Sequence, residues 1–155
     1  NVPAPVTTYA LFRDGKFLTQ SIQSDKKFLA LAGAADFVLC DVPCSGLGVI
    51  SKKPDIKYKT IRDIAGLPEI QYSILAAASS CVRDGGALVY STCTLNPDEN
   101  EAVFERFLRE HANFVPDDFS VSVCRSRGGM YTFFPDGGES DGFFVARAVK
   151  RKERS

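Results

Sequence analysis

The sequence predicts an α/β fold with a mainly parallel sheet and an antiparallel C-terminal edge. Two short apolar runs, residues 37–41 and 87–91, have the pattern of strands that are covered on both faces. A helical stripe over residues 67–82 lies between them, and this order of elements forms a right-handed parallel unit. Three strand-like segments follow the last helix, which indicates antiparallel pairing at the end of the sheet. They are residues 119–124, 130–134 and 143–149.

Two helices are predicted from their apolar stripes and their ends. The first ends at the glycine pair 85–86. The second has a strong start, because Asn96 can cap it, Pro97 suits the first helical position and Glu99 completes a capping box. The stripe residues are Ile70, Ile74, Leu75, Ala78, Cys81 and Val82 in the first helix, and Val103, Phe104, Phe107 and Leu108 in the second.

The N-terminal segment predicts a short strand at residues 6–12 and a weaker one at residues 17–22. Asp14 and Gly15 lie between them, and this pair favours a hairpin turn. Residues 25–32 have the pattern of a short helix. We therefore expect a hairpin and a helix ahead of the first buried strand.

Length and composition limit the classes of protein to which the chain can belong. Its 155 residues are 45% hydrophobic, which suits one globular domain, and 19 basic against 19 acidic residues give no global basic field. No apolar run could span a bilayer, and no signal-peptide pattern opens the chain. The five cysteines show no pairing pattern, so we expect reduced thiols in the cytoplasm. The spacing of Cys40 and Cys44 has no matching pair and the chain has one histidine, so no metal site is expected.

Two cysteines directly follow predicted strands. Cys44 follows residues 37–41 in the sequence Asp-Val-Pro-Cys, and Cys93 follows residues 87–91 in the sequence Ser-Thr-Cys-Thr. In open α/β sheets ligands bind beyond the carboxyl ends of the strands, so the two thiols should meet at one end of the sheet. Because a thiolate can add reversibly to an electron-poor ring carbon, the pair indicates covalent chemistry on one substrate. The other cysteines are expected to fill space in the core: Cys40, Cys81 and Cys124.

Residues around the two cysteines favour such a site. Cys93 precedes a predicted helix N-terminus, whose partial positive charge would favour the thiolate. Pro43 fixes the backbone before the first cysteine, and Gly46 and Gly48 would let a ligand approach closely. Asp41 at the strand tip can accept hydrogen bonds from an amine or a protonated ring nitrogen. Taken singly, each of these features also has a structural explanation as a turn former, a helix cap or a packing residue.

Five segments together form a specific set of motifs. They are Asp-Val-Pro-Cys-Ser-Gly-Leu-Gly at 41–48, Lys-Pro-Asp-Ile-Lys-Tyr at 53–58, Ser-Thr-Cys-Thr at 91–94, Pro-Asp-Glu-Asn-Glu at 97–101 and Asp-Gly-Phe-Phe-Val-Ala-Arg at 141–147. This set resembles the Sun/Nop family of RNA (cytosine-5)-methyltransferases, which use S-adenosylmethionine, and it leans towards the bacterial ribosomal-RNA branch. DNA cytosine methyltransferases place their nucleophile in a Pro-Cys motif, so the second cysteine in a Thr-Cys context favours the RNA class. The resemblance extends from about residue 14 to residue 150.

The resemblance implies a role for each matching residue. Cys93 would be the nucleophile that adds to carbon 6 of cytosine, and Cys44 would help remove the carbon 5 proton or release the product. Asp41 would hold the cytosine edge near the methyl donor. Asp14, Asp41 and Pro43 would contact the cofactor, although Asp14 also belongs to the predicted hairpin turn. The basic loop after the first buried strand is either a solvated surface or an RNA contact, and its lysines are Lys52, Lys53, Lys57 and Lys59.

The chain departs from the family pattern in one respect. The family has a Gly-rich cofactor loop of the Ala-Pro-Gly-Gly-Lys type on the first strand of its fold, and these 155 residues contain none. We therefore expect a truncated Rossmann-like methyltransferase sheet, with residues 1–150 as the C-terminal part of a catalytic domain and residues 151–155 as a charged tail. The strand at 37–41 would lie at an exposed edge that favours self-association.

The function that the resemblance implies is methylation of carbon 5 of cytosine in RNA, with ribosomal RNA as the expected substrate and no membrane partner. The cofactor would be S-adenosylmethionine, which this chain alone would bind weakly. A second interpretation is a non-catalytic RNA-binding or interaction module that keeps the motifs but lacks the cofactor loop. A titration with S-adenosylmethionine distinguishes the two.

Overall fold

The described part of the chain begins with a small hairpin. Strand β1 (Leu11–Arg13) pairs antiparallel with β2 (Lys16–Thr19), which confirms the predicted pairing. Asp14, Gly15 and the predicted helix at residues 25–32 lie outside the described residues, so the role of Asp14 stays a prediction. The computed structural model describes residues 11–13, 16–19, 35–136 and 140–152.

A five-stranded mixed sheet forms the centre of the structure. Its strands are β3 (Ala35–Asp41), β4 (Val82–Thr92), β5 (Phe114–Pro116), β8 (Met130–Phe133) and β9 (Phe143–Lys150), and β6 (Ser120–Val121) and β7 (Cys124–Arg125) form a separate pair. The order is β3-β4-β9, and the other edge of β9 pairs with β8 along residues 143–146 and with β5 along residues 148–150. The first two strands are parallel and the other pairs are antiparallel. The predicted α/β class and its antiparallel C-terminal edge are confirmed. The described sheet is not mainly parallel, however, because β9 lies at its centre and runs antiparallel to β4, β5 and β8.

Helices connect the two parallel strands and cover one side of the sheet. A 3₁₀ helix (Pro54–Tyr58), α1 (Ile61–Ile64) and α2 (Leu67–Ser79) lie between β3 and β4 in the chain. Helix α3 (Glu101–Glu110) follows β4, and α2 contacts both parallel strands and α3. The predicted strand–helix–strand unit is therefore present and sets the positions of the loops that follow β3 and β4.

The core lies between the sheet and helices α2 and α3. Burial of each large side chain contributes on the order of 2 kcal/mol, so these residues hold the layers together. Helix α3 buries its predicted stripe at Val103, Phe104 and Phe107. The large hydrophobic side chains with no exposed surface are Leu75, Leu88, Tyr90, Phe104, Phe107 and Phe144.

The buried face of α2 differs from the predicted stripe. Ile70 is 51% exposed, whereas its neighbour Gln71 is fully buried. The helix ends at Ser79, so Cys81 lies in the connection and Val82 begins the next strand. Gln71 can be buried because its amide donates hydrogen bonds to the Pro43 carbonyl and to Glu99. Exposure of Ile70 costs little free energy, since a large part of any protein surface is apolar.

Helix α3 begins later than the sequence predicts. It starts at Glu101, and the segment after Asn96 forms turns instead of the first helical residues. Asn100 has non-helical backbone angles, with φ at −106° and ψ at −94°. Its side chain is bonded to Thr92 and Thr94, which fixes the segment against the end of β4 and delays the helix.

Two further predictions about strands are wrong. The single strand predicted at residues 119–124 is replaced by two short antiparallel strands, β6 and β7, of two residues each. Strand β5 was not predicted, because three residues are too few to show a strand pattern. Strand β3 is covered on one face only, since Val38 is buried whereas Phe37 and Leu39 are 57% and 54% exposed. Helix α2 contacts the covered face, and β3 pairs with β4 alone in the described sheet.

Within the described ranges, no helix is both long and apolar enough to cross a membrane. The same ranges contain no group of three or more His, Cys, Asp or Glu side chains that could hold a metal ion. The five cysteines are free thiols.

Candidate active site

The two cysteines that follow β3 and β4 meet at one end of the sheet. The strands are parallel and in register, with Asp41 opposite Ser91, so their following residues leave the sheet side by side. The Sγ atoms of Cys44 and Cys93 lie 3.1 Å apart. The prediction that the two thiols lie together is confirmed.

The two thiols differ in acidity. The hydrogen bond from the Cys44 thiol is the largest effect on Cys93, and it lowers the pKa of Cys93 from an ordinary 9.0 to about 7. Burial and the nearby Asp41 carboxylate act against it, whereas Lys53 favours the thiolate. The pKa of Cys44 is raised, first by its hydrogen bond to Cys93 and then by burial. Near neutral pH, Cys93 therefore has the larger thiolate fraction of the two, and Cys44 keeps its proton.

The cause of this acidity differs from the one that the sequence predicts. A helix N-terminus directly after Cys93 would stabilise its thiolate, but α3 begins only at Glu101. The effect of a helix dipole falls off within about one turn, so it does not explain the low pKa of Cys93. The neighbouring thiol of Cys44 has this role instead.

A buried carboxylate connects the elements around the site. Glu99 has no exposed surface, and its Oε2 accepts hydrogen bonds from the backbone N–H of Ser45 at 2.8 Å and from Nε2 of Gln71 at 2.9 Å. Its Oε1 accepts a third bond from Nδ2 of Asn96 at 3.0 Å. Hydrogen bonds to charged groups are stronger than those between neutral groups, so Glu99 fixes both cysteine loops to helix α2.

A second buried set of polar groups joins the residues next to the cysteines. The hydroxyls of Ser45 and Thr94 lie 2.7 Å apart. Thr92 donates to Oδ1 of Asn100 at 2.6 Å, and Nδ2 of Asn100 donates to the carbonyl of Thr94 at 2.9 Å. Since buried polar groups must be paired to avoid a desolvation cost, this set specifies a single arrangement of the two loops.

Gly48 forms a backbone bridge between the Cys93 loop and β9. Its N–H donates to the carbonyl of Cys93 at 3.0 Å, and its own carbonyl accepts from the N–H of Gly142 at 2.7 Å. A Cβ at Gly48 would collide with the carbonyl oxygen of Gly142. Gly46 has a φ of 78°, which favours glycine. The two glycines thus serve backbone packing and turn geometry.

Asp41 and Pro43 lie at the carboxyl end of β3. Asp41 is partly buried, and its Oδ1 accepts a hydrogen bond from the Ser91 hydroxyl at 3.0 Å. Pro43 is exposed, and its carbonyl accepts from Nε2 of Gln71 at 3.0 Å. Both residues therefore border the predicted ligand crevice beyond the strand ends.

The four lysines of the basic loop are exposed, but they have different surroundings. Lys52 forms an ion pair with Asp141 at 2.6 Å, and Lys59 donates to the carbonyl of Ser45 at 2.8 Å. Lys53 lies near enough to Cys93 to lower the pKa of that thiol. Lys57 is on the 3₁₀ helix. Lys53 and Lys59 therefore place positive charge near the two cysteine loops.

An open groove with a volume of about 510 Å³ lies on the C-terminal side of the site. The backbone connects the groove to the site. The N–H of Gly142, the residue before groove residue Phe143, donates to the carbonyl of Gly48, whose own N–H donates to the carbonyl of Cys93. Phe134 in this groove is 70% exposed. The lining residues are Val123, Tyr131, Phe133, Phe134, Asp136, Ser140, Asp141 and Phe143.

Sequence reasoning missed the roles of several residues in this site. Gln71 was not singled out, and Glu99 was interpreted as part of a helix cap. A signal was present for Gln71, because it precedes Leu75 by four residues and Ala78 by seven, which places it on the same helix face as these two residues of the predicted stripe. No local signal identified Ser45, Thr94 or Asn100, since the Ser45–Thr94 contact joins residues 49 apart and the bonds of Asn100 to Thr92 and Thr94 follow no helix or strand period.

The fold and the thiol pair define the class of Rossmann-like methyltransferases. Residues 15–149 match the model of the 16S rRNA methyltransferase RsmB/F family, and the chain belongs to this family. The resemblance to the Sun/Nop family is thereby confirmed.

Curated relatives and solved structures agree with this assignment. The chain is 43% identical over 121 residues to the probable ribosomal RNA small subunit methyltransferase B of Synechocystis, covering 74% of this chain and 27% of the relative. For the Bacillus subtilis protein of the same name, the identity is 42% over 126 residues, covering 75% and 28%. The crystal structure of NSun6 from Pyrococcus horikoshii with SFG superimposes with a TM-score of 0.69 and 31% identity, covering 84% of this chain and 34% of that one. The chain thus spans about a quarter of the length of the curated relatives.

Proposed function

We propose that the chain is the C-terminal part of a catalytic domain that methylates carbon 5 of cytosine in ribosomal RNA. The observation that carries the proposal is the 3.1 Å contact between the Cys44 and Cys93 sulfurs at the end of two parallel strands. Methylation at carbon 5 needs a nucleophile for carbon 6 and a separate group that handles the carbon 5 proton, and a thiolate beside a thiol supplies both.

In the first step, the Cys93 thiolate forms a bond to carbon 6 and the ring electrons make carbon 5 nucleophilic. Asp41 borders the crevice and would accept a hydrogen bond from the exocyclic amine or the protonated ring nitrogen. Carbon 5 then takes the methyl group. The carbon 5 proton must leave before the bond to Cys93 breaks and the electron pair returns to the sulfur.

Cys44 becomes suited to accept that proton only after the first step. The negative charge on Cys93 holds the proton on Cys44, because the hydrogen bond between them is the largest effect that raises the pKa of Cys44. Once the Cys93 sulfur is bonded to carbon, this charge is gone, so the pKa of Cys44 falls, although burial still raises it. Loss of the Cys44 proton to solvent is then easier than in the free site. The resulting thiolate can accept the carbon 5 proton.

The methyl donor would be S-adenosylmethionine, which supplies an electrophilic methyl group when bound. The residues present fit one wall of its site, since the Asp41 carboxylate is partly exposed at the carboxyl end of β3, where such folds bind ligands. Pro43 lies beside it, and Asp14 would add a second carboxylate. The 155 residues contain no Gly-rich loop for the rest of the site.

RNA would approach over the basic loop and the aromatic groove. Lys53 and Lys57 offer charge to phosphates, and Phe134 and Phe143 offer ring faces on which unpaired bases can stack. The target cytosine must leave the stack to reach Cys93, so single-stranded or looped RNA is the expected substrate. A cytoplasmic location would supply ribosomal RNA and keep the thiols reduced.

The exposed face of β3 is expected to favour self-association. Phe37 and Leu39 are more than half exposed on a strand that pairs on one side only in the described sheet. Unpaired strand edges with apolar side chains tend to associate.

The experiment uses the complete protein and RNA that carries 5-fluorocytosine at the target. Fluorine at carbon 5 cannot leave as a proton, so the adduct should persist in a denaturing gel with methyl donor present. Peptide mapping should place the RNA on Cys93. Methylation of ordinary RNA without any adduct on the fluorinated substrate would refute the covalent route.

A second candidate is a non-catalytic RNA-binding module, for which the exposed lysines and the aromatic groove would also be suited. It predicts RNA binding without methyl transfer by the complete protein. A Gly-rich loop encoded upstream of Asn1 in the parent gene, together with methyl transfer, would exclude it.

A further inference from the structure

Both peptide groups that flank Cys44 are held by the same pair of side chains. The carbonyl of Pro43 accepts a hydrogen bond from Nε2 of Gln71 at 3.0 Å, and the N–H of Ser45 donates to Oε2 of Glu99 at 2.8 Å. Gln71 also donates to Oε2 of Glu99 at 2.9 Å. The backbone on each side of Cys44 is thus attached to one connected unit.

The unit is buried and bridges separate elements. Gln71 and Glu99 have no exposed surface, and they come from helix α2 and from the segment that follows β4. The Oε1 atom of Gln71 is buried without a partner among the described residues. An unpaired buried polar atom destabilises a fold, so an apolar residue would suit this position better if packing were its only role. The contribution of Gln71 therefore lies in the two bonds that its amide donates.

We propose that Gln71 and Glu99 are positioning residues that hold the Cys44 thiol within hydrogen-bond distance of the Cys93 sulfur. Neither side chain bonds to either sulfur, so both act through the backbone around Cys44. The catalytic meaning of this role rests on the proposed function, but the positioning itself is a property of the chain without RNA or cofactor.

The consequence for Cys93 follows from the groups that face it. They are the Cys44 thiol from the loop after β3, the Asp41 carboxylate at the end of that strand and the Lys53 ammonium from the basic loop. Loss of the unit would let Cys44 move away while the other two groups remain. Since the bond from Cys44 is the largest effect that lowers the pKa of Cys93, this pKa should rise towards its ordinary value.

The experiment measures alkylation of Cys93 by iodoacetamide from about pH 5 to about pH 9, with peptide mass spectrometry to separate it from the other cysteines. The rate for the unaltered chain should have its midpoint near pH 7. Gln71→Met removes the amide donor and Glu99→Met removes the acceptor oxygens, and both keep the side-chain length. Each variant should move the midpoint upward by about one pH unit. Glu105→Gln, on the exposed side of α3, should leave it unchanged.

A double-mutant cycle distinguishes positioning from a general loss of structure. In a Cys44→Ala chain the thiol that the unit positions is absent, so adding Gln71→Met should move the midpoint no further. Circular dichroism checks that each variant is folded. Because the two single variants change different elements, the test can be made with either of them if the other fails to fold. An unchanged midpoint in a folded variant, or an equal shift with and without Cys44, would overturn the proposal. Because no methyl transfer is measured, these outcomes are independent of the proposed function.

Discussion

The hydroxyl of Ser45 lies 2.7 Å from the hydroxyl of Thr94, and both side chains are fully buried. Each of these residues directly follows one of the two cysteines in the chain. The distance between the thiols is therefore set by their neighbours, which are fixed to each other inside the protein. A small disturbance of this contact should affect both stability and reactivity.

Thr94→Val should destabilise the chain by about 1–3 kcal/mol, because the valine keeps the shape but leaves the Ser45 hydroxyl without its buried partner. Urea denaturation gives the free energy of unfolding. Thr60→Val is the matched control, since the Thr60 hydroxyl bonds to Asp63 at an exposed position and its loss should cost less than about 1 kcal/mol. Equal losses for the two variants would contradict the role of the buried contact.

The two cysteines should fail in different ways in the complete protein. Cys93→Ala should abolish methyl transfer and leave no covalent product, because no bond to carbon 6 can form. Cys44→Ala should accumulate RNA bound to protein, because the adduct forms but the carbon 5 proton leaves slowly. A denaturing gel with labelled RNA records both results. A stable adduct with Cys93→Ala, and none with Cys44→Ala, would reverse the assigned roles.

Gly48→Ala should destabilise the chain by at least about 2 kcal/mol, because the new Cβ meets backbone carbonyl oxygens of Gly142 and Cys93 that have no room to move. Gly66→Ala is the control, since a Cβ there meets nothing within 4 Å and the change should stay below about 1 kcal/mol. Thermal unfolding compares the two. A stable Gly48→Ala chain with normal Cys93 reactivity would show that the backbone bridge is dispensable.

Phe134→Trp should report base stacking in the aromatic groove. The chain has no tryptophan, so this variant would carry a single fluorophore at a position where the native side chain is 70% exposed. A short single-stranded RNA should quench its emission, and added salt should weaken the effect because lysines hold the phosphates.

Ile70→Trp provides the comparison, on the outer side of α2 at 51% exposure. It should respond little to the same RNA. Similar quenching at both positions, or none at Phe134→Trp while anisotropy records binding, would exclude the groove as a stacking surface.

The 155-residue chain alone should bind S-adenosylmethionine weakly or not at all. Asp41 and Asp14 would supply part of a site, and the loss of several further contacts at roughly 1 kcal/mol each weakens binding by orders of magnitude. Calorimetry of the purified chain tests this. Micromolar affinity without an added partner would show that the site is complete within these residues.

Much of the fold follows from local patterns. The central strands β4 and β9 and the stripe of α3 were predicted because each pattern is long enough to show its period. The meeting of Cys44 and Cys93 was also predicted, since parallel strands bring their carboxyl ends to one edge.

The remaining features depend on specific side-chain contacts that no periodic pattern of the sequence shows. Helix α3 was expected directly after Asn96, but buried bonds from Asn100 to Thr92 and Thr94 hold that segment in turns. The prediction that a helix N-terminus lowers the pKa of Cys93 was wrong for the same reason. Gln71 is buried by partners on two other elements, which a helical period does not reveal.

Strand β9 is the last described strand in the chain and lies at the centre of the sheet, between β4 on one side and β5 and β8 on the other. Its residues Phe144, Ala146 and Ala148 are fully buried. The sheet therefore cannot form completely until β9 has been synthesised, and the pairing of β9 with β4 joins residues far apart in the sequence, which slows folding. During synthesis, the apolar side chains of the earlier strands stay exposed to solvent until β9 is available to pair with them. A premature stop before β9 would leave the two cysteines in the polypeptide and remove the strand that unites the sheet.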